Sequence, residues 1–467
     1  MYDTPVKPLR LSQCVQRAAR LTPSPLGEMF NNERFCDGLI RVLPEDSIRL
    51  NNAAACYRVV RGVVASESEY FDRAFGGWKE ECSTKELEVR VPWTQVHTCG
   101  LLLSFMHDKE LPSLEVEKLL SLLELADRFV VHSCLSEVCC QLGEARLSSL
   151  VEALKILELE GRPGVSLQPG MRLAREKARF VLLRKFGDVE KVAQSKDLME
   201  AFLGLSKVAV TELFAQDRLQ AVSENTVFYL ATRWFSRHYR DARPTDPSYY
   251  QAVMEVGAQI RFPVMSSNFI CHWAQKTKWM KDFQKLTNVW LREATEFKLR
   301  ESTVANPDEE PREEMRFHNR ANTSPSNTLS WEVSADSLLD EPRVCQSPKM
   351  FCGGYLWKLV MKTKEESPDR LALYLPAYPS FPEYTIRNSL YKGAPLQIKG
   401  TITLSAERRG EDGEVSRRLE DQTWGLSSGW GFGDFFAEPL DSVLMENSPY
   451  TDANGNLHVA ATIEDVE

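Results

Sequence analysis

Apolar residues recur at helical spacing through much of the first 300 positions and at every second position beyond residue 328. The pattern predicts a largely helical N-terminal part and a β-rich C-terminal part. Val116, Leu119, Leu120 and Leu123 keep the i, i+3, i+4, i+7 rhythm, and Leu135, Val138, Cys139 and Leu142 repeat it, so a stacked helix pair closes a first domain near residue 145. Within that domain Tyr57 and Val59 open a short apolar strand, and Leu87, Val89 and Val91 alternate as a half-buried one. Between them Ser68 is placed to cap a short helix carrying Phe71 and Phe75 on one face. That helix stops at Gly76-Gly77, leaving Trp78-Lys79-Glu80 on a loop. Leu26, Met29 and Phe30 form a further apolar stripe near the start.

Gly161 to Gly164 and Pro169-Gly170 punctuate the next connection, after which helix follows helix to about residue 300. Ser223 reads as the N-cap of a helix bearing Val227, Leu230, Ala231, Trp234 and Phe235. Residues 301–328 are rich in Glu, Asp, Pro, Asn, Ser and Thr and read as a solvated acidic linker. Beyond it four sets alternate: Trp357, Leu359 and Met361; Leu371, Leu373 and Leu375; Ile398, Gly400, Ile402 and Leu404; Leu457, Val459, Ala461 and Ile463. Short alternating strands separated by Pro, Gly and Asn turns predict an antiparallel β-sandwich.

A chain of 467 residues with 43% hydrophobic content has ample core for about three domains. The net charge of −9 argues against a nucleic-acid backbone as the main partner, because that binding needs a clustered cationic face. Eleven cysteines, none in paired CxxC spacing and most in apolar surroundings, fit a reducing cytoplasmic or nuclear compartment. No apolar run reaches the roughly 18–20 residues of a membrane helix. The first 25 residues set Lys7, Arg10, Arg17 and Arg20 against Asp3 alone, which fits a flexible tail or an organelle transit peptide.

Catalytic patterns are sparse. Gly425-Leu426-Ser427-Ser428-Gly429 matches the GxSxG of serine hydrolases, with Asp434, Asp441 and His458 following in hydrolase order. That pattern needs a helix directly after the serine, whereas Trp430-Gly431-Phe432 continues a β-rich stretch, so a hairpin loop is the plainer reading. The seven histidines are scattered; His132 and Cys134 have no third ligand at zinc spacing, so no metal or other cofactor is expected. No phosphate-cradling glycine loop is present.

Tyr57, Arg61, Ala65, Ser68-Glu69-Tyr70-Phe71 and Phe75, with Phe35-Cys36-Asp37-Gly38-Leu39 before them and Leu120, Leu123, Ala126-Asp127 and Leu135 after, resemble the signature of BTB/POZ domains. Val60 stands where that family usually has His. Phe186, Val192-Ala193, Leu198, Leu213, Ser223-Glu224, Trp234 and Arg261 to Met265 resemble a BACK domain. Ser330-Trp331, Phe351 to Trp357, Leu371 to Leu375 and Gly429-Trp430-Gly431-Phe432 resemble a MATH (TRAF-like) domain. The expected order is a flexible tail at 1–25, a BTB/POZ domain at 26–145, BACK helices at 146–300, the acidic linker at 301–328 and the MATH-like sandwich at 329–467.

The resemblance implies a non-enzymatic adaptor of a cullin-RING ubiquitin ligase. In it Leu26, Met29 and Phe30 pack across a homodimer axis, or else cover their own core. Phe75, Trp78 and Glu80 meet the cullin in a hydrophobic-x-Glu triplet, unless the indole folds onto its own domain; the first BACK helices extend that surface or are core. Tyr374, Trp430 and Phe432 line a groove for a linear peptide of a client protein, though Trp430 and Phe432 are equally read as partly core. Gly400 and Gln422 replace aromatics of the usual groove, implying a different peptide. The alternatives are a BTB-dimer scaffold or transcriptional co-regulator without a cullin and, remotely, a hydrolase using Ser427.

Overall fold

The computed structural model describes residues 26–45, 54–76, 85–302, 320, 327–339, 343–364, 366–380, 397–409, 413–425, 429–445, 447–464 and 466. The chain forms two compact units, Met1–Val181 and Leu182–Glu467.

In the first unit β1 (Gly38–Pro44) is the middle strand of three, antiparallel to β2 (Ala55–Val59) and parallel to β3 (Glu86–Val91). Its apolar residues Ile40, Val42 and Leu43 are buried, as are Val89 and Val91 of β3. Between β2 and β3 lie two seven-residue helices, α1 (Arg61–Glu67) and α2 (Glu69–Phe75). The cap expected at Ser68 is present: its hydroxyl accepts from the Phe71 N–H at 3.2 Å and donates to the Phe129 carbonyl. α2 ends at Gly76, whose N–H bonds the Asp72 carbonyl at 2.7 Å.

α3 (Val96–Asp108), α4 (Val116–Arg128) and α5 (His132–Glu144) follow, burying the leucines and cysteines that keep helical spacing. Burial pushes the thiols of Cys99, Cys134 and Cys139 up to about 12, so they stay protonated. Lys109, at φ 61°, terminates α3 in the left-handed conformation. Gly100 is required in α3, because a Cβ there would sit 2.5 Å from the Tyr57 hydroxyl. At Val60 the backbone N–H donates to His107 Nε2 of α3 at 3.2 Å. His107 Nδ1 then donates to Leu103 O at 2.8 Å, and burial lowers the pKa of this neutral ring. α6 (Leu150–Glu158) opens with a full capping box between Ser149 and Glu152, and α7 (Pro163–Ser166) follows. α8 (Pro169–Phe186) runs across the division between the units.

The second unit continues with α9 (Val189–Gln194), α10 (Lys196–Leu203), α11 (Lys207–Phe214), α12 (Glu224–His238), α13 (Pro247–Gly257), α14 (Ser267–His272), α15 (Lys278–Asp282) and α16 (Gln284–Ser302). Side-chain caps at Asp188, Ser195, Ser206, Ser223, Asp246 and Ser266 separate short helices that would otherwise run together. Trp234 and Trp279 are wholly buried, their indole N–H groups bonded to Leu205 O and Thr232 Oγ1.

The C-terminal strands are β4 (Thr328–Ser334), β5 (Val344–Gln346), β6 (Met350–Cys352), β7 (Tyr355–Trp357), β8 (Val360–Lys364), β9 (Ser367–Pro379), β10 (Gln397–Glu407), β11 (Glu414–Gly425), β12 (Gly429–Phe432) and β13 (Asn456–Glu464), with short helices α17 (Asp336–Leu339) and α18 (Leu440–Leu444). They form two antiparallel sheets, β11-β10-β13-β4 and β5-β8-β9-β7-β6, with β12 added to β9. Leu457, Val459, Ala461 and Ile463 all face the core, as their alternation requires. The alternation from Trp357 to Met361 is not one strand: it is divided between β7 and β8, both paired with β9.

Within the expected linker 301–328, the described residue Arg320 is buried. Arg320 is 1% exposed at its side chain and forms a bidentate pair with the equally buried Glu224, at 2.7 and 3.1 Å. Its remaining donors reach the carbonyls of Phe214, Gln216 and Gln259.

Candidate interaction surfaces

Phe75 lies on the buried face of α2, 6% exposed and stacked on Phe71 at 6.4 Å. Trp78 and Glu80 lie outside the described residues. Leu26 is 41% exposed beside a single 3-10 turn at Gly27–Met29 rather than a full helix. Met29 and Phe30 are half-buried, and Phe30 lies against Tyr57 and His107 at 6.1 and 5.2 Å. Of the three, Leu26 is the residue most available to another chain.

On the sandwich, β12 is a four-residue edge strand, and among the described residues it pairs only with β9. Trp430 is 43% exposed, with its indole N–H fixed on Thr423 O at 2.7 Å. Phe432 is half-buried beneath the Arg417 guanidinium at 5.2 Å, and Asp434 holds that guanidinium through its carboxylate and carbonyl. Register separates the three expected groove residues. Trp430 and Phe432 stand opposite Leu375 and Leu373, whereas Tyr374 stands opposite Gly431 and carries Lys362 over its ring at 5.3 Å. Directly opposed residues share a face and neighbours alternate, so the Tyr374 ring is on the other side of the sheet from Trp430 and Phe432. Gly431 cannot be larger, since a Cβ would lie 2.0 Å from Leu373 O. The two altered groove positions, Gly400 and Gln422, face each other across β10 and β11.

Ser427 is outside the described residues; β11 and β12 flank it, so a strand stands where a nucleophile elbow would need a helix. His458 instead joins Glu332 and Asp452, with ligand-type atoms within 4.8 Å of one another, beside a cavity of about 700 Å³. More than 100 residues separate Glu332 from the other two, so spacing could not reveal this cluster. Its oxygens are already engaged: Asp452 accepts from the Asn454 and Asn456 N–H groups and Glu332 from Asn456 Nδ2. The Asn456 N–H, the His458 ring and the Asn454 N–H together hold Asp452 below the ordinary carboxylate range.

The most elaborate polar site in the second unit joins the sandwich to the helices. Gly353 and Gly354, at φ 59° and 88°, form the two-residue turn between β6 and β7. The Gly353 N–H donates to Glu190 Oε2 at 3.2 Å, and its carbonyl accepts from Asn225 Nδ2. Glu190 Oε1 accepts from Thr226 Oγ1 at 2.7 Å and the Val222 N–H at 3.2 Å. Gln194 Nε2 bonds Phe351 O, Phe351 packs on Tyr229 at 4.4 Å, and Tyr355 meets Phe269 at 5.9 Å. A Cβ at Gly354 would sit 2.6 Å from that of Asn225. In the sequence the glycine pair stood only within the landmark Phe351 to Trp357, and its acceptor, some 160 residues earlier, was not legible. Burial pushes Glu190 up to about 7.

No helix among the described residues is long and apolar enough to cross a membrane. Residues 26–145 match the family described as BTB/POZ domain, and residues 175–275 match that described as BTB And C-terminal Kelch, or BACK. Two BTB/POZ domain-containing proteins of Arabidopsis thaliana are similar: one is 24% identical over 262 residues, covering 55% of this chain and 45% of its own. The other is 24% identical over 225 residues, covering 48% and 37%. The match thus spans less than half of either relative. Among solved structures, TRAF5 of Notothenia coriiceps is 14% identical over 39% of this chain and 89% of its own, with a TM-score of 0.22, too low to assign a fold. The chain therefore carries a BTB/POZ domain at 26–145 and a BACK domain at 175–275, with an antiparallel β-sandwich after both.

Proposed function

We propose that the chain is a substrate-recognition adaptor of a cullin-RING ubiquitin ligase. The BTB/POZ domain, residues 26–145, dimerises through the Leu26 region and presents Trp78 and Glu80 to the cullin. The sandwich, MATH-like in its sequence landmarks, holds a linear segment of the client protein.

The observation that carries the reading is the open edge of β12, with its half-exposed indole at Trp430, behind a BTB–BACK pair. An extended peptide would add to that edge by main-chain hydrogen bonds and place an apolar side chain on the indole. Tyr374, on the opposite face, would contribute only if the peptide wraps the edge.

The test is affinity purification of the full chain beside Glu80→Lys and Trp430→Ala. A cullin is expected with wild type and Trp430→Ala and lost with Glu80→Lys, while clients are lost with Trp430→Ala. Clients retained by wild type with no cullin in any sample would replace this reading with a dimeric scaffold or transcriptional co-regulator.

A further inference from the structure

Glu190 is 0% exposed, and among the described residues no salt bridge reaches it. Its three donors come from three places: Thr226 on α12, Val222 just before it, and Gly353 on the sandwich. The ionisable groups around it do not supply a positive charge. Asp188, at the head of the same helix, opposes ionisation, and the buried Cys352 thiol on β6 is kept protonated. A buried carboxylate without a cation is stable in its neutral form if the added proton finds an acceptor. Thr226 provides one, since a hydroxyl both donates and accepts and can reverse its bond to Oε1. The Val222 and Gly353 N–H groups keep their acceptors in either state.

We propose that the Gly353–Gly354 turn, seated on Glu190 and Asn225, is a latch that fixes the β-sandwich against the BACK helices, and that protonation of Glu190 tightens it. The inference holds whether or not a cullin binds. A client captured on β12 would then be held in fixed geometry relative to the helices, more firmly in acid than in alkali. The sign follows from linkage. A carboxyl at about 7 when docked, against an ordinary value near 4.3 when undocked, gives docking that weakens as pH rises through that interval.

The test is hydrogen exchange of the segment 350–357 in the full chain between pH 6 and pH 8, corrected for the intrinsic rate. Wild type is expected to lose about tenfold in protection over that rise, which is the proton-binding difference for the two values above. Glu190→Gln removes the titrating group and should abolish the slope, at a lower protection that is equal at both pH values, because its NH2 must face one of the two backbone N–H donors. Gly354→Ala, strained at positive φ and crowded against Asn225, should lose protection at every pH. A wild-type slope that survives in Glu190→Gln, or a segment unprotected in wild type at both pH values, overturns the proposal. Should Glu190→Gln fail to fold, the wild-type slope and its loss in Gly354→Ala decide the matter.

Discussion

Removing Arg320 tests whether the stretch 301–328 is a tether or part of the fold. Its guanidinium makes two buried bonds to Glu224, one to the buried Phe214 carbonyl and two to the part-buried carbonyls of Gln216 and Gln259. Arg320→Ala leaves a buried carboxylate and three carbonyls without that partner, and breaking a buried pair from one side costs roughly 3–5 kcal/mol. The Arg261 N–H still donates to Glu224 at 2.9 Å, which favours the lower end, about 3 kcal/mol. For a cooperative unit of this size that loss lowers the melting temperature by roughly 6–12 °C. Differential scanning calorimetry of the full chain should show the transition of the second unit moving by that amount and the first unit holding still. Glu224→Gln should also destabilise, and the double variant should cost less than the sum, because each single change has already broken the shared contact. A shift below about 2 °C, or strict additivity, would mean that Arg320 is held no more firmly than a surface residue.

Three further outcomes follow from the same geometry. Ser68→Ala removes both a helix cap and a buried donor to Phe129 O and should destabilise the first unit by about 1–3 kcal/mol, read from its denaturation midpoint. Gly100→Ala drives a methyl into the Tyr57 ring and should cost about 1–3 kcal/mol in the same assay, with Tyr57→Phe relieving part of it if the hydroxyl is the obstacle. His107 is neutral in the fold with its pKa lowered by burial, so the stability it supports is present above the ordinary histidine value and is lost as pH falls through it. Urea titrations of the first unit at pH 7.5 and 5.5 should show that loss in wild type.

Much of this fold was legible because it is written locally. Ser68, Phe71 and Phe75 lie within eight positions, so one helical turn and one cap decide their arrangement. The alternation of Leu457 to Ile463 needs only a strand and a core face. What sequence did not show depends on partners far apart in the chain. Arg320 sits among acids and prolines, a composition that reads as solvated, and its burial follows from a carboxylate 96 residues away. Tyr374, Trp430 and Phe432 each lie at or near the expected edge, yet only the β9–β12 register reveals that they occupy two faces.

The same distant contacts change how two captured clients on a dimer would be related. A free acidic linker would let each sandwich search a volume set by chain length, and gain in avidity would depend on that reach. With Arg320 pinned on Glu224 and the Gly353–Gly354 turn seated on α9 and α12, the sandwich is tied to the BACK helices at that turn and the chain leading to it is tied at Arg320. Any gain from pairing then depends on whether a client carries two motifs at the spacing this rigid unit allows, and not on linker length. Lengthening the chain between Arg320 and β4 should therefore leave client affinity unchanged, whereas Gly354→Ala, which loosens the second tie, should alter it for clients with two motifs and leave single-motif peptides unaffected.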